Sequence, residues 1–173
     1  MAIKRIARLS QGASGWSGSA SGLAVDSDTN QLEVNVDGTA RPIATSAAKE
    51  LTATYTVTAA ENGTRFFLNS STEFVTTLPA LQAGLQYTFY VKAAPAAASY
   101  TIVTASSGNV MVGTIHSSTG GDADSEASGG DTFTFADGVA VKGDRADFFC
   151  DGTNWYVTAF VNADAGATIT TAS

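Results

Sequence analysis

The sequence predicts an all-β protein, a β-sandwich or jelly-roll-like barrel with an extended N-terminal arm, and three observations lead there. From Leu51 onward, short runs of Val, Ile, Thr, Phe and Tyr recur at the spacing of about eight to twelve residues that marks sandwiches and barrels. Helical candidates are nearly absent. "TSAAKEL" (45–51) has the length of one turn, and the Ala run at 96–98 is too short and too close to Pro95 to nucleate a helix. Finally, residues 10–22, "SQGASGWSGSASG", hold nine Ser or Gly in thirteen positions, which is linker composition.

The elements follow in chain order. Residues 1–9 interleave Lys4, Arg5 and Arg8 with Ile3, Ile6 and Leu9 and contain no acid. The Ser/Gly tract behind them buries too little apolar surface to offset its own ordering entropy. Trp16, a lone indole inside that tract, fits an anchor that docks into a groove on a neighbouring subunit or staples back onto its own chain. In residues 22–45, Leu32, Val34 and Val36 alternate with Glu33, Asn35 and Asp37 between turn-forming "DSDTN" and "DG", the pattern of a hairpin or meander. This divides the chain into an arm (1–22), a short β-hairpin and connector (23–50) and an all-β domain (51–173).

Within that domain, strands are expected over 51–58, 64–69, 73–78, 85–93, 99–105, 110–116, 131–136, 146–150 and 154–161. In "LQYTFYVKA" Leu85, Tyr87, Phe89 and Val91 share one face, and Gln86, Thr88, Tyr90 and Lys92 the other. Near the C-terminus Phe148 and Cys150 oppose Asp147 and Phe149, while Trp155, Val157 and Val161 oppose Tyr156, Thr158 and Phe160. A hairpin with aromatics on both faces is expected to be covered on both, by its own domain or by another subunit. Phe149, Trp155, Tyr156 and Phe160 are therefore the self-association candidates.

Charge narrows the partners. Asp, Glu, Lys and Arg make up 14% of the chain, against roughly 25% in an ordinary soluble protein. A surface of hydroxyls in place of charges suits a protein packed into an assembly. The net charge of −7 opposes nonspecific binding to nucleic acid. No run of apolar residues is long enough for a membrane span, and the N-terminus lacks the apolar core of a signal peptide, so synthesis in the cytoplasm is expected.

Candidates for chemistry are few. The single histidine, His116, stands where a strand runs into a loop, and no nucleophile-elbow motif accompanies it. Cys150 is the single cysteine, expected as a small hydrophobe at a strand end, and no disulfide can form within the chain. In "GGDADSEASGGD" (120–131), Asp122, Asp124 and Glu126 resemble the start of a calcium loop. Ala127 replaces the glycine of the sixth position, and the bidentate glutamate of the twelfth is missing. Residues 122–151 carry eight acids and two bases, so the expectation there is a solvated acidic loop. No enzyme, cofactor or metal site is expected.

"LPA" (78–80), "YTFYVKAAP" (87–95), "YTIVT" (100–104) and "DGTNWYV" (151–157) carry a resemblance, spread over roughly residues 60–161, to a module of tailed-phage virion proteins of the head-decoration, or cement, type. Cys150 departs from the polar residue usual before that last motif. The resemblance implies a non-enzymatic structural protein on the outer capsid surface of the virion, a homotrimer whose partners are the major capsid protein and itself. Lys4, Arg5, Ile6, Arg8, Leu9 and Trp16 would be the capsid contacts, with no nucleic acid and no membrane involved. The competing expectation is a tail-fibre or spike module binding host-surface glycan, with Tyr100, Trp155 and Tyr156 as contacts.

Overall fold

The computed structural model describes residues 47–70, 72, 74–119 and 123–171, with the backbone alone at 123–128, and the backbone of residues 22–25, 32–36 and 39–42. The chain divides after Thr45 into two units. The first contains the expected meander, in which strands β1 (Gly22–Val25), β2 (Leu32–Val36) and β3 (Thr39–Pro42) pair antiparallel in sequence order. The second unit includes Ala48–Leu51, which form a strand of one of its sheets.

The second unit is a β-sandwich of two mixed sheets. Its strands are β4 (Ala48–Leu51), β5 (Tyr55–Thr56), β6 (Arg65–Leu68), β7 (Phe74–Thr77), β8 (Gln86–Val91) and β9 (Tyr100–Val103). They continue with β10 (Met111–Ser117), β11 (Ala123–Gly130), β12 (Thr132–Phe135), β13 (Arg145–Cys150), β14 (Trp155–Val161) and β15 (Ala167–Thr170). One sheet has seven strands in the order β11-β10-β14-β13-β8-β6-β4, and the other has five in the order β15-β12-β9-β7-β5. From β4 to β10 the chain alternates between the sheets at every strand. Next-nearest strands thus become neighbours, and β4, β6 and β8 run parallel in one sheet while β5, β7 and β9 do so in the other.

This alternation accounts for two corrections. "LTATYTVT" is not one strand, because the chain leaves the seven-stranded sheet at Leu51 and enters the five-stranded sheet at Tyr55. The described part of 45–51 is not a helical turn either, since Ala48–Leu51 is strand β4. Parallel pairing of β4 with β6 and burial of Leu51 outweigh the weak helix preference of the two alanines. A third correction concerns the acidic stretch, where β11 pairs antiparallel with β10 along the sheet edge in place of a loop. Backbone pairing does not need apolar side chains, and edge strands commonly carry charge. β15 was likewise not expected; it adds to β12 by an antiparallel ladder.

The core lies between the sheets. Phe66, Phe89, Phe148 and Trp155 from the larger sheet meet Tyr100, Ile102, Phe133 and Phe135 from the smaller, all nearly inaccessible to solvent. Phe133 crosses the gap edge-on to Phe148, with ring centroids 5.6 Å apart. Each such side chain contributes about 1.5–3 kcal/mol by leaving water. Cys150 is a buried free thiol in this core, as its place at a strand end suggested.

Two glycines permit this geometry. At Gly113 a Cβ would lie 2.0 Å from the Val157 carbonyl oxygen, so only glycine lets β10 approach β14 this closely. Gly152, at φ +98°, makes the left-handed step in the turn between β13 and β14. The Asp151 carboxylate locks that turn by accepting the amides of Thr153 and Asn154, both at 2.7 Å.

Candidate functional site

The two sheets present opposite kinds of outer surface. On the five-stranded sheet, register places Val75, Thr101, Thr134 and Thr168 in one row and Thr77, Val103, Thr132 and Thr170 in the next, a surface of small hydroxyl side chains. The seven-stranded sheet is built otherwise. Strand register aligns Phe67, Tyr90, Arg145, Phe160 and His116 in a first row across five strands. Arg65, Thr88, Asp147, Thr158 and Thr114 form the second row, and Gln86, Phe149, Tyr156 and Val112 the third.

Size differences turn these rows into relief. Threonines and Asp147 are short and the flanking aromatics long, so the middle row is the floor of a trough between two ridges. A depression of about 410 Å³ lies over Thr88, Asp147 and Thr158, bounded by Arg65, Phe149 and Tyr156. Phe149, Tyr156 and Phe160 are 49%, 48% and 43% exposed, the largest aromatic exposures among the described residues. A second depression of about 410 Å³ lies at the far end of the first row, over Phe67 and Tyr90 and beside Glu50, Lys92 and Lys142.

The groups of the trough are held in place. Thr88 Oγ1 donates to Asp147 Oδ1 at 2.7 Å, and Arg145 Nε lies 3.6 Å from Asp147 Oδ2. The Arg145 guanidinium also sits 4.8 Å from the Phe160 ring centroid, a cation–π contact. His116 stacks on Phe160 from the strand on the other side, at 5.2 Å and 20° between planes. Tyr90 and Phe67 stack at 5.4 Å. The nearby Asp151 carboxylate raises the Tyr156 phenol above its ordinary value. The amides of Asn154 and Thr153, and then that phenol, hold Asp151 below the usual carboxylate range.

The self-association candidates separate into two groups. Phe149, Tyr156 and Phe160 stand on the outer face, whereas Trp155 is fully buried beside Tyr87 and is corrected from a surface residue to a core residue. Strand alternation is the physical reason, since Trp155 falls with Val157, Ala159 and Val161 on the inner side of β14. Among the described residues, the second sheet covers the inner face of this hairpin and not the outer one. Of the three adhesion candidates, Tyr100 is also buried, its hydroxyl donating to the Ala93 carbonyl at 2.9 Å, so Tyr156 alone is accessible. Lys4, Arg5, Ile6, Arg8, Leu9 and Trp16 lie outside the described residues.

His116 is exposed near the end of β10. For residues 120–131, the described backbone from Ala123 to Gly130 is extended along β10 and does not close into a calcium loop. No group of three or more metal-ligating side chains occurs among the described residues. No helix among them is long and apolar enough to cross a membrane. Sequence reasoning missed Arg145, Asp147 and Thr158 as members of a site. Their alternation with core residues was visible, but their alignment beside Thr88 depends on a register between strands distant in the chain.

Comparison with known protein families finds no family model that matches this sequence, and comparison with curated proteins finds no match.

Proposed function

We propose that the chain is a capsid decoration (cement) protein, which binds the outer surface of a tailed double-stranded-DNA phage head as a trimer and stabilises the shell. Its partners on this proposal are the major capsid protein and other copies of itself, and its role is mechanical. The observation that carries the proposal is the division of the chain into a small N-terminal unit, headed by a basic and apolar segment, and a separate sandwich with few charges. Such a layout supports an attachment device joined to a compact head. The resemblance over residues 60–161 supplies the kind of particle.

The physical mechanism is clamping. Lys4, Arg5 and Arg8, with Ile6, Leu9 and Trp16, reach a neighbouring capsid subunit, while association of the sandwiches holds several arms over one junction. Each contact is weak by itself. Joined on one oligomer, they reinforce one another through effective concentration and resist the outward pressure of packaged DNA.

The test is removal of residues 1–22. The truncated protein is expected to keep the far-ultraviolet spectrum of a β-protein and to lose attachment to purified heads that lack the decoration. Saturation of the shell by the truncated protein would show that the arm is not the attachment device.

A further inference from the structure

We propose that the trough on the seven-stranded sheet is a binding site for a neutral saccharide chain, with Thr88, Asp147 and Thr158 as its floor and Phe149 and Tyr156 as its aromatic flank. The inference goes beyond capsid attachment and does not depend on where the protein is located.

The chemistry of the trough selects the ligand class. A pyranose has apolar C–H faces and a rim of hydroxyls that both donate and accept. Phe149 and Tyr156, each about half exposed, offer the C–H faces a stacking surface. The Asp147 carboxylate has more lone-pair positions than the Thr88 hydroxyl occupies, threonine hydroxyls work in both directions, and Arg145 supplies donors. Neighbouring strands are about 4.8 Å apart, so the floor offers one polar side chain about every 4.8 Å, close to the length of one sugar ring. From Thr88 through Asp147 and Thr158 to Thr114 the floor crosses three strand intervals, about 14 Å in all, enough for a trisaccharide.

The same features disfavour other occupants. An extended peptide binds a sheet by adding to an unpaired edge, but β8, β13 and β14 have a partner strand on each side. A nucleic acid would meet Asp147 at the centre of the floor on a chain of net charge −7. A dry protein interface would desolvate Asp147 and Arg145 together, which is costly unless every remaining hydrogen bond is made. Preorganisation adds to the case, because the Thr88–Asp147 hydrogen bond and the Arg145–Asp147 ion pair already fix the floor, so less side-chain freedom is lost on binding. The hydroxyl-covered face of the other sheet, which displays no exposed large aromatic, serves as an internal control.

The experiment titrates the full chain with cellotetraose, chitotetraose, maltotetraose and mannotetraose, followed by NMR chemical-shift perturbation. At least one is expected to bind with a Kd of about 1 mM or tighter and to shift the signals of Thr88, Phe149 and Thr158. Affinity should rise from the disaccharide to the trisaccharide, level off at the tetrasaccharide, and persist at high salt. Tyr156→Ala and Phe149→Ala should each weaken binding about tenfold or more, while Thr134→Ala on the opposite face should leave it unchanged. Melting of each variant verifies that it is folded. The inference is overturned if none of the four sugars binds at about 10 mM, or if Tyr156→Ala leaves the affinity intact. It is equally overturned if Tyr156→Ala converts an oligomer to a monomer, since the face is then a subunit contact. Decoration of heads by the same variants, scored separately, shows whether the attachment proposal stands or falls independently.

Discussion

Glu61 shows how one side chain fastens an edge of the sandwich. It ends the 3-10 turn Ala59–Glu61, and its carboxylate accepts from Lys49 Nζ at 2.8 Å, from the Tyr55 hydroxyl at 2.7 Å and from the Thr58 amide at 2.9 Å. Burial pushes its pKa up, but the bonds from Lys49, the Thr58 amide and Tyr55 together outweigh that and leave it below the ordinary value of 4.5. A carboxylate depressed in the folded state contributes stability that is fully present above its unfolded value and is lost as pH falls through its folded value. Urea titrations from neutral pH down through 4.5 should therefore show Glu61→Gln less stable than the parent at neutral pH, with the gap closing as acid protonates the parent. A constant gap at every pH would assign the loss to packing. At this scale the sequence was informative wherever alternation was unambiguous. Tyr87, Phe89 and Val91 were legible as core, and so was the company Trp155 keeps with Val157 and Val161. Alternation could not say which aromatic face of the last hairpin its own domain would leave open.

Elements were legible where apolar and polar residues alternate, and obscure where pairing rests on backbone alone. β6 through β10 and β12 through β14 lie within a residue or two of their expected positions. β11 was obscured by its own acidity, β15 by brevity, and β4 by alanines that suit a helix as well as an edge strand. Gly113 is the element-scale test of this topology. Its hydrogen faces the Val157 carbonyl where β10 and β14 run parallel, and a methyl group there must push two sheet backbones apart. Gly113→Ala should cost about 3 kcal/mol or more in chemical denaturation, with amide exchange accelerated first in β10 and β11. A loss below about 0.5 kcal/mol would mean that β10 does not lie against β14 as described.

For the whole molecule, the all-β class was legible from strand spacing, but its wiring was not. Nothing local distinguishes a strand that pairs with its successor from one that pairs with the strand after next, and the pairings of β4, β6 and β8 and of β5, β7 and β9 are of the second kind. The trough inherits that opacity, because its floor joins β8, β13, β14 and β10, which lie far apart along the chain. Its ridges, by contrast, were half visible as aromatics on the wrong side of a hairpin. The same distribution of surfaces frames the proposed role. Threonines clothe one sheet, aromatics with a charged floor clothe the other, and the basic segment stands in a separate unit. On the proposed function, a molecule arranged in this way works by being held. An image reconstruction of the phage particle tests that claim most directly. The account predicts density for the sandwich at local threefold positions over the outer head, in hundreds of copies with arms on the neighbouring capsid subunits. A handful of copies confined to the tail, or no copies on the particle, would contradict it.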